Sequence, residues 1–210
     1  MVDHQPRRRG RPPRHNRAAL LEIAANVVVD RGYEGLRYAD VSEASGVAVA
    51  SLRHYFPTID GLRREALRHQ VRAELRHLEV QVGRLEGPWE QLSGFIRHAI
   101  GIDEHARRTS WLVWLEYWRI AARDAGMAED WDSLDAEWTT MIQQVIEAGV
   151  SDGRFALDQS SYDAALEVTA LVDGFGPAVA IAAADNAVTE HLVAIIERAA
   201  RRMVGLPPVG

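Results

Sequence analysis

Residues 38–56 read YADVSEASGVAVASLRHYF, and this stretch decides the fold. Its spacing predicts two short helices, 38–44 and 48–56, around the turn Ser45-Gly46-Val47. Ala39, Val41 and Ala44 are expected to face a core, and Gly46 supplies the left-handed backbone that a tight inter-helix turn needs. Val47 and Leu52 are placed to plug the angle between the helices, which leaves Ser51, Arg53, His54 and Tyr55 projecting. A second helix presented in this way fits the DNA major groove, with its N-terminal residues nearest the base edges.

Upstream, Ala18, Leu21, residues 23–25 and Val28 form an apolar stripe that stops at Arg31-Gly32, a basic last turn followed by a capping glycine. Before it, residues 1–15 hold Pro6, Gly10, Pro12 and Pro13 among arginines, which disfavours a helix and predicts a flexible arm. Six arginines against Asp3 give residues 1–17 a charge of +5, so a chain of net −6 carries −11 over residues 18–210. An acidic body behind a basic arm suits a local nucleic-acid contact at one end rather than general polyanion binding.

All 24 basic residues are arginine, a bias that a GC-rich coding sequence explains. Hydrophobic residues make up 47% and charged residues 26%, the balance of a folded globular protein. No cysteine is present, which removes thiol chemistry and cysteine–zinc sites. No apolar run approaches the roughly 20 residues that cross a bilayer, and the basic N-terminus lacks a secretion signal's apolar region. A cytoplasmic protein without membrane or cofactor is expected.

Downstream the pattern stays helical, with no alternating strand and no internal repeat. A long amphipathic helix is predicted from Thr58 to about Arg84, and Pro88 suits a first helical position, with Phe95, Ala99 and Ile102 on one face. Further helices are predicted near 107–125, 130–150, 160–184 and 188–204. Breaks are expected at Asp124-Ala125-Gly126, at residues 149–153 and at Asp185-Asn186, while Gly174-Phe175-Gly176-Pro177 is expected to kink or break its helix. The reading is an all-α chain in three parts: an arm at 1–15, a helix-turn-helix domain at 16–62, and an effector-binding and dimerisation domain at 63–205.

The N-terminal part resembles the TetR family of regulators. The resemblance rests on Ile23-Ala24-Ala25, Gly32-Tyr33, Ala44-Ser45-Gly46-Val47, Leu52-Arg53-His54-Tyr55-Phe56 and Leu62, all in register over about residues 14–70. It implies a dimeric repressor that binds a palindromic operator and is released by a small molecule. It also implies backbone contacts from Arg37 and Tyr38. Three positions depart from the pattern: Ala48 stands in place of a capping serine, Arg53 in place of a common tyrosine, and Ile59 in place of a lysine. The missing cap is worth about 1 kcal/mol. Arg53 could reach guanine or phosphate, and Thr58 can cap the next helix, whose N-terminus could bind a phosphate. Ala48, Val49 and Ala50 offer only methyl groups, which suit the thymine methyl. Phe56 reads as a core aromatic, Tyr55 as core or contact, and His54 as a phosphate contact. Arg9-Gly10-Arg11-Pro12 looks like an AT-hook core, either lying in a narrow minor groove or serving as a solvated, salt-sensitive tail.

In the body, Trp111, Trp114 and Trp118 share one helical face with Tyr117 beside them, and Trp131, Trp138 and Met141 follow, so that five of six tryptophans fall within 111–138. They either fill a core or wall a pocket for a planar ring or a cation. Residues 111–118 and 170–175 resemble the C-terminal domain of the BetI-like branch of the family. Asp173, in an apolar helix, is a satisfied core carboxylate or a counter-charge for a cationic ligand, and Phe95 and Phe175 are further candidates for the pocket. The stripes Ala164, Leu166, Val168, Leu171 and Leu192, Ile195, Ile196, Ala199, Met203 fit packing within the chain; the resemblance implies that these last two helices pair in a dimer.

Enzyme readings are weaker. Residues 149–153 match Gly-x-Ser-x-Gly, but that elbow needs a strand leading into the serine, and a helix leads in here. His98, Asp103 and His105 lack paired metal-ligand spacing and read as surface polar residues. Alternatives to the repressor are a ligand-independent or activating relative, a nucleoid-type DNA binder and a small-molecule enzyme.

Overall fold

The structure is a computed structural model that describes residues 16–101, 104–181 and 186–207. Its helices are α1 (Arg17–Arg31), α2 (Tyr38–Ser45), α3 (Val49–Tyr55), α4 (Ile59–Val82), α5 (Pro88–Ile100), α6 (Glu104–Ala121), α7 (Ala125–Ser151), α8 (Ser161–Ile181) and α9 (Asn186–Met203), with a 3₁₀ turn at Tyr33–Gly35. No strand occurs among the described residues, so the chain is all-α as read.

Local chemistry sets the ends of the first helices. The Asn16 side chain accepts the Ala18 N–H to open α1, and Gly32, at φ +76°, donates its N–H to the Val28 carbonyl to close it. Gly46, at φ +71°, takes the left-handed conformation on which the turn between α2 and α3 depends. The α3 helix starts at Ala48 with no side-chain cap, whereas Thr58 Oγ1 accepts the Gly61 N–H at 3.0 Å to open α4. Ala39 and Ala44 are exposed, contrary to expectation. The buried side of α2 runs through Tyr38, Val41 and Ser45, and both alanines fall outside that arc at 100° per residue.

Two cores organise the molecule. One joins Leu20, Leu36, Val41, Leu52 and Phe56 to the first half of α4 and reaches Val113, Tyr117, Met127 and Leu134 on α6 and α7. The other fills the body between α5, α7, α8 and α9. Trp114, Trp118, Trp138 and Met141 pack against both.

The expected breaks near Asp124 and within residues 149–153 are present with shifted edges, and α8 is not broken at Pro177. Asp124 accepts the Met127 N–H and caps α7, so Gly126 lies inside its first turn. The α7 helix also continues through Gly149 to Ser151, because the Phe155 ring lies directly over Gly149, where a β-carbon would collide with it. Gly149 and Ser151 are thus helical, which rules out the elbow geometry. Pro177 does not end α8, which runs on to Ile181; lacking an N–H, the proline deprives only the Asp173 carbonyl of its helical partner.

Candidate DNA-binding face and effector cavity

The α3 helix buries Leu52 and turns Ser51, Arg53, His54 and Tyr55 to solvent; Ala48 and Ala50 are exposed and Val49 is partly buried. The Arg53 guanidinium lies 5.5 Å from the centre of the Tyr38 ring and makes no ion pair among the described residues, which leaves its N–H donors available. His54 meets Tyr55 edge-on at 6.1 Å. Tyr38 donates its hydroxyl to the Phe56 carbonyl at 2.6 Å, tying the start of α2 to the end of α3. Arg37 donates to the Leu36 carbonyl at 3.1 Å and to the Glu34 carbonyl, so its guanidinium is partly engaged by backbone. Phe56 is a core residue, as read. Arg9 and Arg11 lie outside the described residues.

A cavity opens in the body where the two cores meet. Its walls come from α4 (Glu74, Leu75, Leu78), α5 (His98, Ala99), α6 (Ser110, Trp111, Trp114, Trp118), α7 (Trp131, Leu134, Asp135, Trp138) and α8 (Thr169, Val172, Asp173). Its volume of about 60 Å³ holds on the order of four or five waters, which suits a compact ligand. The rings brace one another edge-on: Trp111 on Trp118 at 6.0 Å, Trp114 on Trp131 at 6.3 Å and Trp118 on Trp131 at 5.8 Å. Trp111 is fixed by its Nε1–H, which donates to the Ala99 carbonyl at 2.9 Å. The Trp118 Nε1–H is buried without a partner among the described residues.

Of the residues expected in a pocket, Trp111, Trp114, Trp118, Trp138 and Asp173 line this cavity together. The other four do not. Phe95 is buried behind the wall, with its ring edge-on to Trp138 at 6.0 Å. Tyr117 is fully buried on the side of the N-terminal core, where burial and then Asp130 push its hydroxyl up to about 12. Met141 lines a separate open groove between α4 and α7, with Arg72 and Arg76. Phe175 packs on the body core. Sequence reasoning missed Glu74 and Asp135 as cavity residues, whereas Trp131, grouped with the other tryptophans, does line it. Trp131, Leu134, Asp135 and Trp138 recur at i, i+3, i+4 and i+7, a helical face that the sequence does print.

The cavity is acidic. Burial, and then Asp135, push the Asp173 carboxyl up to about 6. Burial and Asp132 raise Asp135, and burial raises Glu74 although Ser110, Gln70 and Trp114 donate to it. Burial and His77 lower His98. No group of three potential metal ligands occurs among the described residues. Of the His98, Asp103 and His105 set, Asp103 and the His105 side chain lie outside the described residues.

A helix-turn-helix joined by one long helix to a helical body with a tryptophan-lined cavity defines the class of DNA-binding regulators. Residues 20–66 match the tetR family of bacterial regulatory proteins, and residues 88–205 match the C-terminal domain of BetI-type transcriptional repressors. The chain belongs to the TetR family of transcriptional regulators, which are not enzymes. It is 24% identical over 146 residues to the transcriptional repressor KstR2 of Mycolicibacterium smegmatis, a match covering 70% of each chain. Its fold is shared by a TetR-family regulator from a Rhodococcus species, with a TM-score of 0.73 and 22% identity over 90% of this chain and 97% of that one. It is shared as well by a transcriptional regulator from Saccharomonospora viridis in complex with choline, with a TM-score of 0.71 and 23% identity over 86% and 92% of the chains. No helix among the described residues is long and apolar enough to cross a membrane.

Proposed function

We propose that this regulator is a repressor that binds a palindromic operator as a homodimer and is released when a small molecule enters the tryptophan-walled cavity. One observation carries the reading. The α4 helix, capped by Thr58 shortly after α3 ends, delivers Glu74, Leu75 and Leu78 into the cavity wall. A ligand that favours a displaced α4 therefore changes the spacing of the two recognition helices in the dimer, which must match successive major grooves. That a regulator with the same fold is found in complex with choline supports a small-molecule ligand. Tyr162 and Leu166 on α8 and Val188 on α9 are exposed apolar residues and supply a face for the partner. The protein is proposed to act in the cytoplasm, where its operator lies.

On DNA, Arg53 and His54 are assigned to the major groove and its phosphates. Ser51, Tyr55 and the methyl groups of Ala48, Val49 and Ala50 lie alongside, and Arg37, Tyr38 and Thr58 fall at the flanking backbone. Footprinting upstream of the protein's own gene identifies the operator. Arg53→Ala and His54→Ala are each expected to weaken operator binding by about 1–3 kcal/mol, roughly tenfold to a hundredfold, with the dimer intact. Unchanged affinity in fluorescence anisotropy rejects the assignment of the recognition helix.

The arm is assigned to the adjacent minor groove through Arg9 and Arg11. Deleting residues 1–13 is expected to lower affinity and to flatten its dependence on salt, because fewer counterions are released on binding. A salt titration that superimposes on that of the full chain dismisses the arm.

A further inference from the structure

We infer that Asp135 and Asp173 form a carboxylate socket, within the tryptophan cavity, for a small ammonium ion that carries N–H donors: a primary or secondary amine rather than a fully methylated one. The inference rests on the reading of this cavity as the effector site.

Three carboxylates line the cavity, and they are not equivalent. Glu74 is supplied with neutral donors, accepting the Ser110 hydroxyl at 2.9 Å and the Gln70 side-chain amide at 3.3 Å. Asp135 and Asp173 accept no hydrogen bond and pair with no cation among the described residues. Two unpaired carboxylates in a partly buried cavity are costly, because buried charge needs a counter-charge or donors. No arginine faces them: α4 presents Glu74, α5 presents His98, the described part of α6 presents tryptophans and Ser110, whose hydroxyl is spent on Glu74, α8 presents Thr169, whose hydroxyl is spent on the Ala165 carbonyl, and Asp132 lies on α7 beside Asp135.

The tryptophan faces attract any organic cation. The aspartates discriminate between cations. A quaternary ammonium meets a carboxylate with methyl groups and leaves its lone pairs unsatisfied, whereas a primary ammonium brings three N–H donors to two carboxylates as charge-assisted bonds. The volume of about 60 Å³ favours an amine of a few heavy atoms. Asp173, pushed up to about 6, leaves part of the empty population protonated near pH 6, so a bound ammonium expels that proton to solvent.

The test is isothermal titration of the full chain with propylamine, choline, tetramethylammonium and 1-propanol, run near pH 6 in two buffers of different ionisation enthalpy. Propylamine is expected to bind at least tenfold tighter than choline and tetramethylammonium and to release protons, and 1-propanol to bind no better than the quaternary ions. Asp135→Asn and Asp173→Asn are each expected to weaken propylamine at least tenfold while keeping the helical circular dichroism of the parent. Either variant suffices should the other fail to fold. Equal or tighter binding of the quaternary ions, or wild-type affinity in a folded asparagine variant, overturns the socket. An operator-release assay run in parallel separates the two readings. If propylamine binds through the aspartates but leaves the operator complex intact, the socket stands and release by this cavity falls. If release is driven by a compound indifferent to both aspartates, the socket falls and the effector reading stands.

Discussion

Replacing Phe56 by alanine is expected to unfold the DNA-binding end of this protein before the body. The ring is 1% exposed and lies in the N-terminal core with Leu20, Leu36, Val41, Leu52 and Leu62. The Arg17 guanidinium covers it at 4.8 Å, and its carbonyl holds the Tyr38 hydroxyl, so one residue locks α1, α2 and α3 around α4. Truncating a buried phenylalanine costs about 3–5 kcal/mol, a transfer loss plus the cavity left behind. That is a large share of the roughly 5–15 kcal/mol that holds a typical domain folded. Urea unfolding followed by circular dichroism is expected to change from a single transition to an early one, for α1–α3, and a later one for the body. Operator binding is expected to be lost at 37 °C while ligand binding in the body persists. A shift below about 1 kcal/mol would show that Phe56 is not the lock, since ordinary surface changes stay within about half of that.

Phe56 also shows what was legible in the sequence. Its spacing from Gly46 and Leu52 marks a helix-turn-helix because each position answers a local demand: a left-handed turn, a plug and an anchor. The same reasoning failed for Ala39 and Ala44, because two small residues on a short helix do not reveal which side the rest of the chain covers. It failed again at Gly149, where a glycine placed to admit the Phe155 ring reads in sequence like a helix stop. In the cavity, periodicity grouped Trp111, Trp114 and Trp118 correctly. Periodicity reports which residues share a face but not what that face meets, so Phe95 and Tyr117 were assigned to a pocket and lie behind its walls. Glu74 escaped for the opposite reason: a carboxylate between Arg72 and Arg76 on a long amphipathic helix reads as solvated surface, and only the packing of α6 against α4 brings it to Ser110.

Gly176→Val is expected to be the most damaging single change in the body, and its neighbour Gly174 provides the control. A β-carbon at Gly176 would overlap the six-membered ring of Trp111. That ring has little room to retreat: it is 4% exposed, bonded through Nε1 to the Ala99 carbonyl and braced against Trp118. Either the indole leaves its site, at a cost approaching the roughly 3–5 kcal/mol of a tryptophan truncation, or α8 backs away from α6, an overpacking cost of about 1–3 kcal/mol. At roughly 2–4 °C per kcal/mol for a chain of this size, thermal unfolding is expected to come several degrees earlier. Both routes dismantle a wall of the cavity, so ligand binding is expected to fail at temperatures where the protein is still folded and still binds its operator. A β-carbon at Gly174, also within α8, meets nothing within 4 Å. Gly174→Ala should therefore hold or raise stability, by up to about 1 kcal/mol from helix propensity alone, and leave the ligand affinity unchanged. If both substitutions move the melting temperature alike, the contact between Gly176 and Trp111 is not what seats α8 against the cavity; if only Gly176→Val does, the glycine is there for the tryptophan.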